Sequence, residues 1–257
     1  FSEEVEKNEE EFLVKKPELN QDLLNMAPGG NLLVAIAGSV DLEKTQNMIE
    51  KFAPPEIDTV SNSVEKFTGL EMSQLLESIS GDFTIAINGV EGEAMLPLEI
   101  FVGIGVNGKV LQEKLMESVE GLTSVEEEDG FFIMNFQGNE IFSGIVNDVL
   151  VITNAKGYKE DIKDGAHDTP LTSTRFSDYT GGSLGMFINL DISQYPALLQ
   201  GLLSQNPQRQ EWVTRITDPF DYLGVSAGNY KNNIVVKTSN PSENSLYTIM
   251  KMVGNPE

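Results

Sequence analysis

The chain has no cysteine, which removes disulfides, thiolate zinc sites, iron–sulfur clusters and cysteine nucleophiles from its chemistry. Basic residues are scarce: 17 lysines and arginines stand against 40 acids, and the only arginines are Arg175, Arg209 and Arg215. A formal charge of −23 leaves no basic surface to track phosphates, so nucleic acid and anionic lipid are poor partners. A basic protein, a cationic ligand or divalent cations remain electrostatically open, and self-repulsion favours solubility. Long apolar runs are also missing; none reaches the roughly 20 residues that span a bilayer. The first residue is Phe1, with neither an initiator methionine nor a signal-peptide pattern behind it. The expectation is a processed or truncated start, with any export or lipid-anchoring segment upstream.

What is present is a repeated order of elements. The run "GGNLLVAIAGSV", from Gly29 to Val40, reads as a buried strand opened by a glycine pair. Asp41 is placed to cap a helix with Leu42, Met48, Ile49 and Phe52 on one face, ended by Pro54 and Pro55. A polar linker rich in Ser, Thr and Asn is expected up to about Thr68. It leads to the helix "LEMSQLLESIS", the strands "DFTIAINGV" and "LPLEIFVGIGV", and the helix "KVLQEKLMESV". In the last third, "GGSLGMFINLDIS" again runs from a glycine pair through a strand into a helix carrying Tyr195, Leu198, Leu199 and Leu202. The helical segment "RQEWVTRI", the strands "FDYLGVSAGNY" and "NNIVVKTS", and the helix "SENSLYTIMKMV" follow. Between the copies lie a predicted three-strand meander, "DGFFIMNFQGNEIFSGIVNDVLVITNA", and the polar segment "KGYKEDIKDGAHDTPLTSTRFSDY".

These patterns predict an α+β protein with largely antiparallel sheets and amphipathic helices packed on them. It holds two copies of a strand-helix-helix-strand-strand-helix unit. The first copy, with a helical lead-in and the added meander, is assigned to residues 1–165 and the second to 166–257.

Several stretches imitate catalytic motifs. "VGIGVNGK" spells G-x-G-x-x-G through Gly103, Gly105 and Gly108, but a dinucleotide turn needs a parallel βαβ context and an acid about 20 residues on. The hairpin setting favours a tight turn with Asn107 as a candidate cap. "GGSLG", Gly181 to Gly185, matches the nucleophile-elbow pattern with the order of strand and helix reversed around Ser183. His167 lies among Asp161, Asp164 and Asp168, a set of oxygen ligands without the spacing of a zinc or calcium site, so an exposed polar loop is expected. The run Glu126, Glu127, Glu128, Asp129 reads as a solvated loop, although paired carboxylates would serve hydrolysis if one were buried. Trp212, Met250 and Met252 read as core residues of amphipathic helices. No catalytic, cofactor or metal residue is assigned from these patterns.

The glycine-pair strand starts, the stretch "LLESISGDFTIAINGV…LPLEIFVGIGVNG" and the closing "NSLYTIMKMV" together resemble a Bacteroidetes family of exported lipoproteins with a domain of unknown function. The resemblance covers most of the chain. It implies the C-terminal part of a longer envelope protein at the periplasm or cell surface, lipid-anchored through a segment outside this sequence, and it carries no catalytic residues. The function expected is a noncatalytic binding or assembly module whose partner is a protein or another envelope component. A carboxylate- or divalent-cation-dependent hydrolase is the alternative.

Overall fold

The computed structural model describes residues 18–52, 56–90, 97–119, 121–136, 138–155, 157–162, 165–205, 211, 213–215, 217–228, 231–240, 242 and 244–254. After helix α1 (Gln21–Met26) come strand β1 (Leu32–Ser39) and three helices, α2 (Leu42–Phe52), α3 (Glu56–Thr68) and α4 (Met72–Ser78). Strands β2 (Ile79–Gly89) and β3 (Leu98–Val106) and helix α5 (Val110–Val119) complete the first unit. Four strands follow: β4 (Val125–Glu128), β5 (Phe131–Phe136), β6 (Asn139–Val146) and β7 (Val149–Thr153). A one-turn helix α6 (Tyr158–Asp161) and 3₁₀ turns at Leu171–Ser173 and Arg175–Tyr179 then lead to β8 (Leu184–Asn189). The second unit continues through a 3₁₀ turn at Ile192–Gln194, α7 (Ala197–Ser204), β9 (Phe220–Gly228), β10 (Lys231–Thr238) and α8 (Ser245–Gly254).

The strands form one 10-stranded sheet in the order β10-β9-β8-β1-β2-β3-β7-β6-β5-β4, antiparallel at every step. Side chains alternate across it, so each strand serves two layers. On one face Ala35, Ala37, Ala86, Phe101, Val151 and Phe187 are buried under Leu23, Leu24 and Met26 of α1 and under Tyr158, Ile162, Leu171, Phe176 and Tyr179. On the other, Val106 and Leu150 pack with Leu70, Leu111, Leu75 and Leu115 around α4 and α5. The hydroxyl of Tyr158 donates to the Met26 carbonyl at 2.9 Å, which closes the first layer.

The two units are related by their register. Aligning Gly29 with Gly181 sets Ala35 against Phe187, and these residues are direct partners in the β1–β8 ladder. The ladders carry the match outward. Ala35 partners Ala86 as Phe187 partners Gly224, and Ala86 partners Phe101 as Gly224 partners Val235. Helices α5 and α8 follow β3 and β10 in the chain. A local two-fold axis thus passes through the central strand pair, and strands from both sides of residue 165 share the sheet.

Local chemistry sets the helix starts. Asp41 accepts the Lys44 amide at 3.2 Å, Asn20 the Leu23 amide at 3.2 Å, and Asn244 the Leu246 amide at 2.9 Å.

Three expectations are corrected. The linker before Thr68 is helix α3, because Ile57, Val60 and Val64 recur at helical spacing beneath its polar composition. The acidic run is not a loop: Glu126 to Glu128 lie in β4, joined to β5 by a hairpin with positive φ at Asp129 and Gly130. The meander therefore has four strands. The polar segment after β7 is not wholly exposed either, since five of its residues lie in the main core. Of "RQEWVTRI", residues 211 and 213–215 are helical, while Trp212 and the side chains of Met250 and Met252 lie outside what is described.

Candidate functional site

The motif glycines serve packing. β3 sits between antiparallel β2 and β7, so no parallel crossover follows the "VGIGVNGK" turn. Gly108 has φ +95°, a conformation that favours glycine, and a Cβ at Gly105 would run into the Ser80 hydroxyl. Asn107 does not cap α5; its side-chain amide donates to the carbonyls of Glu77 (3.1 Å) and Ile79 (2.8 Å), bracing the turn against the end of α4. In "GGSLG" the backbone of Ser183 donates to the Ala227 carbonyl at 2.9 Å, and β8 begins one residue later. The segment fastens β8 to β9.

His167 stacks on Tyr158, with ring centroids 6.0 Å apart, and its Nε2 lies 3.7 Å from an Asp161 carboxylate oxygen. Its Nδ1 is 3.1 Å from the Thr169 amide. Burial raises the carboxyl of Glu99 above its ordinary range; nearby His167 acts against that and Asp161 adds to it. His167 thus lies beside Asp161, and Glu99 is within electrostatic range of both. Asp168 is exposed, and Asp164 lies outside the described residues. Among the described residues no three metal-ligating side chains converge.

Two other features gather residues from several elements. The first is a cavity of about 360 Å³ where the units meet, lined by Leu32, Thr174, Arg175, Phe187, Asn189, Asp191, Gln194 and Asp221 among others. The Arg175 guanidinium carbon lies 5.4 Å from the centre of the Tyr222 ring, which packs on Phe187 at 5.5 Å. Burial and a hydrogen bond to Tyr222 push the neighbouring Tyr179 hydroxyl above its usual range.

The second is a groove of about 530 Å³ along the edge strand β10, lined by Asp178, Tyr179, Ser226, Asn232, Asn233, Ile234 and Val235. Ile234 is 72% exposed and Val235 38%. The opposite edge of the sheet is different in kind. On β4, three successive glutamates are exposed, and edge charge of this sort prevents another strand from adding. Sequence reading placed neither feature, because a free edge is a property of strand order and the cavity residues lie far apart in the chain. The nearest signal was the stretch from Leu223 to Ser242, which holds no acid in an otherwise acidic chain.

No protein-family model matches the chain, and no curated protein matches it in sequence. Among solved structures it is similar to TP0453 in three crystal forms. Form I shows 11% identity and a TM-score of 0.44 over 90% of this chain and 85% of that one. Form III shows 11% and 0.47 over 92% and 86%, and form IV 10% and 0.43 over 86% and 79%.

Proposed function

We propose that this chain is a noncatalytic binding and assembly module of a bacterial cell-envelope protein, and that it binds by adding an extended strand to the free edge of β10. One observation carries the reading. β3 and β10 are equivalent in the two units, and the outer edge of β3 is covered by β7, with Phe101 to Gly105 pairing Thr153 to Val149. Among the described residues, no strand pairs with the outer edge of β10, which ends the sheet order. Its alternate N–H and C=O groups point away from β9, and Ile234 and Val235 stand exposed beside the groove.

The covering strand in the first unit indicates the partner's chemistry. β7 is uncharged and rich in β-branched residues, reading Val149, Leu150, Val151, Ile152, Thr153. A second copy of this chain fits less well: antiparallel self-pairing centred on Ile234 sets Lys231 against Lys237, and each copy carries a formal charge of −23. The partner inferred is an uncharged, β-branched segment of another envelope protein. The location rests on the family resemblance described above, and no helix among the described residues is long and apolar enough to cross a membrane.

The test is a titration with a fluorescent peptide copying Asn147–Ala155. Saturable binding is expected, weakened at least tenfold when Ile234 and Val235 are both replaced by Glu, which gives β10 the kind of edge that β4 has. Equal binding by the Ile234→Glu/Val235→Glu variant would overturn the proposal, as would no binding at millimolar peptide.

A further inference from the structure

The cavity at the junction of the two units has chemistry that strand addition does not use. Its polar groups come from separate elements: Arg175 from the 3₁₀ turn before β8, Asn189 from the end of β8, Asp191 from the cap of the next 3₁₀ turn, and Asp221 from the start of β9. Leu32 and Phe187 supply an apolar side. Convergence of this sort, in a concave site with an apolar wall, is the usual form of a small-molecule site.

Several of these groups are held in place. Asn189 accepts the Asp191 amide at 3.0 Å, and one carboxylate oxygen of Asp191 accepts the amide (3.0 Å) and hydroxyl (2.6 Å) of Ser193. The backbone carbonyl of Asp221 receives the amides of Leu190 and Asp191 at 2.8 and 3.1 Å. The guanidinium of Arg175 rests over the Tyr222 ring. Among the described residues no ion pair within 4 Å joins Arg175 to Asp191 or Asp221, so both signs of charge line one cavity without direct contact between them.

Comparison with the first unit shows that this chemistry belongs to one copy. By the register equivalence, Phe187, Asn189 and Asp191 correspond to Ala35, Ala37 and Ser39, and Asp221 corresponds to Phe83. None of those four positions is charged. The charged groups are therefore absent from the equivalent positions of the related unit, although the backbone there follows the same ladders.

We infer that this cavity binds a small zwitterion, a free amino acid or dipeptide, with its carboxylate on Arg175 and its ammonium between Asp191 and Asp221. Arg175 presents a planar fork suited to a carboxylate, and two carboxylates form a site for an ammonium group. The apolar side chain of the ligand lies against Leu32 and Phe187. A volume of about 360 Å³, at the small end of ligand cavities, matches a ligand of that size.

The experiment is a calorimetric titration of the whole chain with the dipeptide alanylleucine and with its N-acetylated and C-amidated forms. Saturable binding by the zwitterion is expected, with each cap lowering affinity at least tenfold. Arg175→Gln should remove the penalty for amidation and Asp221→Asn should reduce the penalty for acetylation. Melting temperatures within a few degrees of the parent would show that both variants are folded, and Arg175→Lys should recover part of the affinity. Capped and free dipeptides binding equally, variants binding like the parent, or no heat at 10 mM dipeptide would each overturn the assignment. The Ile234→Glu/Val235→Glu variant should bind alanylleucine normally, so failure at this cavity and failure at the β10 edge are separable.

Discussion

Buried polar contacts fix where single substitutions matter. The Tyr158 ring is 1% exposed and its hydroxyl satisfies the Met26 carbonyl, so Tyr158→Phe leaves that carbonyl without its partner. A loss of about 1–3 kcal/mol in chemical denaturation is expected. Gly224 is set by shape, because a Cβ there would enter the Tyr179 ring. Gly224→Ala should cost about 1–3 kcal/mol through overpacking. Glu99 gives a pH signature. Burial holds its carboxyl above its ordinary value of 4.5, so on raising the pH the unfolded chain loses this proton first, and stability falls until the folded-state group has also ionised. Glu99→Gln removes that loss. The variant should melt higher than the parent at pH 7, with the gap closing below pH 4.5; a gap that widens in acid would contradict the burial argument.

Elements were legible where one period dominated. The strand from Gly29, the Asp41 cap and the paired hairpins follow from alternation, capping chemistry and turn residues, and the repeat follows from their order. α3 was hidden because Ser, Thr and Asn diluted its spacing of Ile57, Val60 and Val64. β4 was hidden because consecutive glutamates read as solvent-facing charge, which they are, while their backbone still pairs with β5. The segment holding Tyr158, Ile162, Leu171, Phe176 and Tyr179 has neither a 2.0 nor a 3.6 period, so only tertiary packing reveals it as core. Two consequences separate helix from linker and edge from loop. Val64→Pro lies inside α3 and should cost about 3 kcal/mol, where a linker would tolerate it. Replacing Glu126 and Glu128 by Val should increase concentration-dependent self-association in sedimentation relative to the parent, because the charge guarding that edge is gone.

At the scale of the molecule, the two units meet at β1 and β8, so a ten-stranded sheet carries a local two-fold axis at its β8–β1 junction and unlike edges at its ends. That inequality was out of reach of sequence reading, since it depends on β7 returning to pair with β3 while β10 ends the ladder. The cavity residues were out of reach for the same reason: Arg175, Asp191 and Asp221 approach one another only after β8 and β9 pair. The high acidity acts on the whole chain. With a formal charge of −23, screening should relieve self-repulsion, and the melting temperature should rise between low salt and about 0.5 M NaCl.

Amide hydrogen exchange of the whole chain, with and without the peptide copying Asn147–Ala155, tests strand addition at β10 most directly. Alternate amides between Asn232 and Lys237 should exchange quickly in the free protein and slow at least tenfold at saturation, while the glutamate-guarded edge of β4 stays unchanged. Protection that falls on β4 or spreads evenly over the sheet, or peptide binding with no slowing in β10, would contradict it.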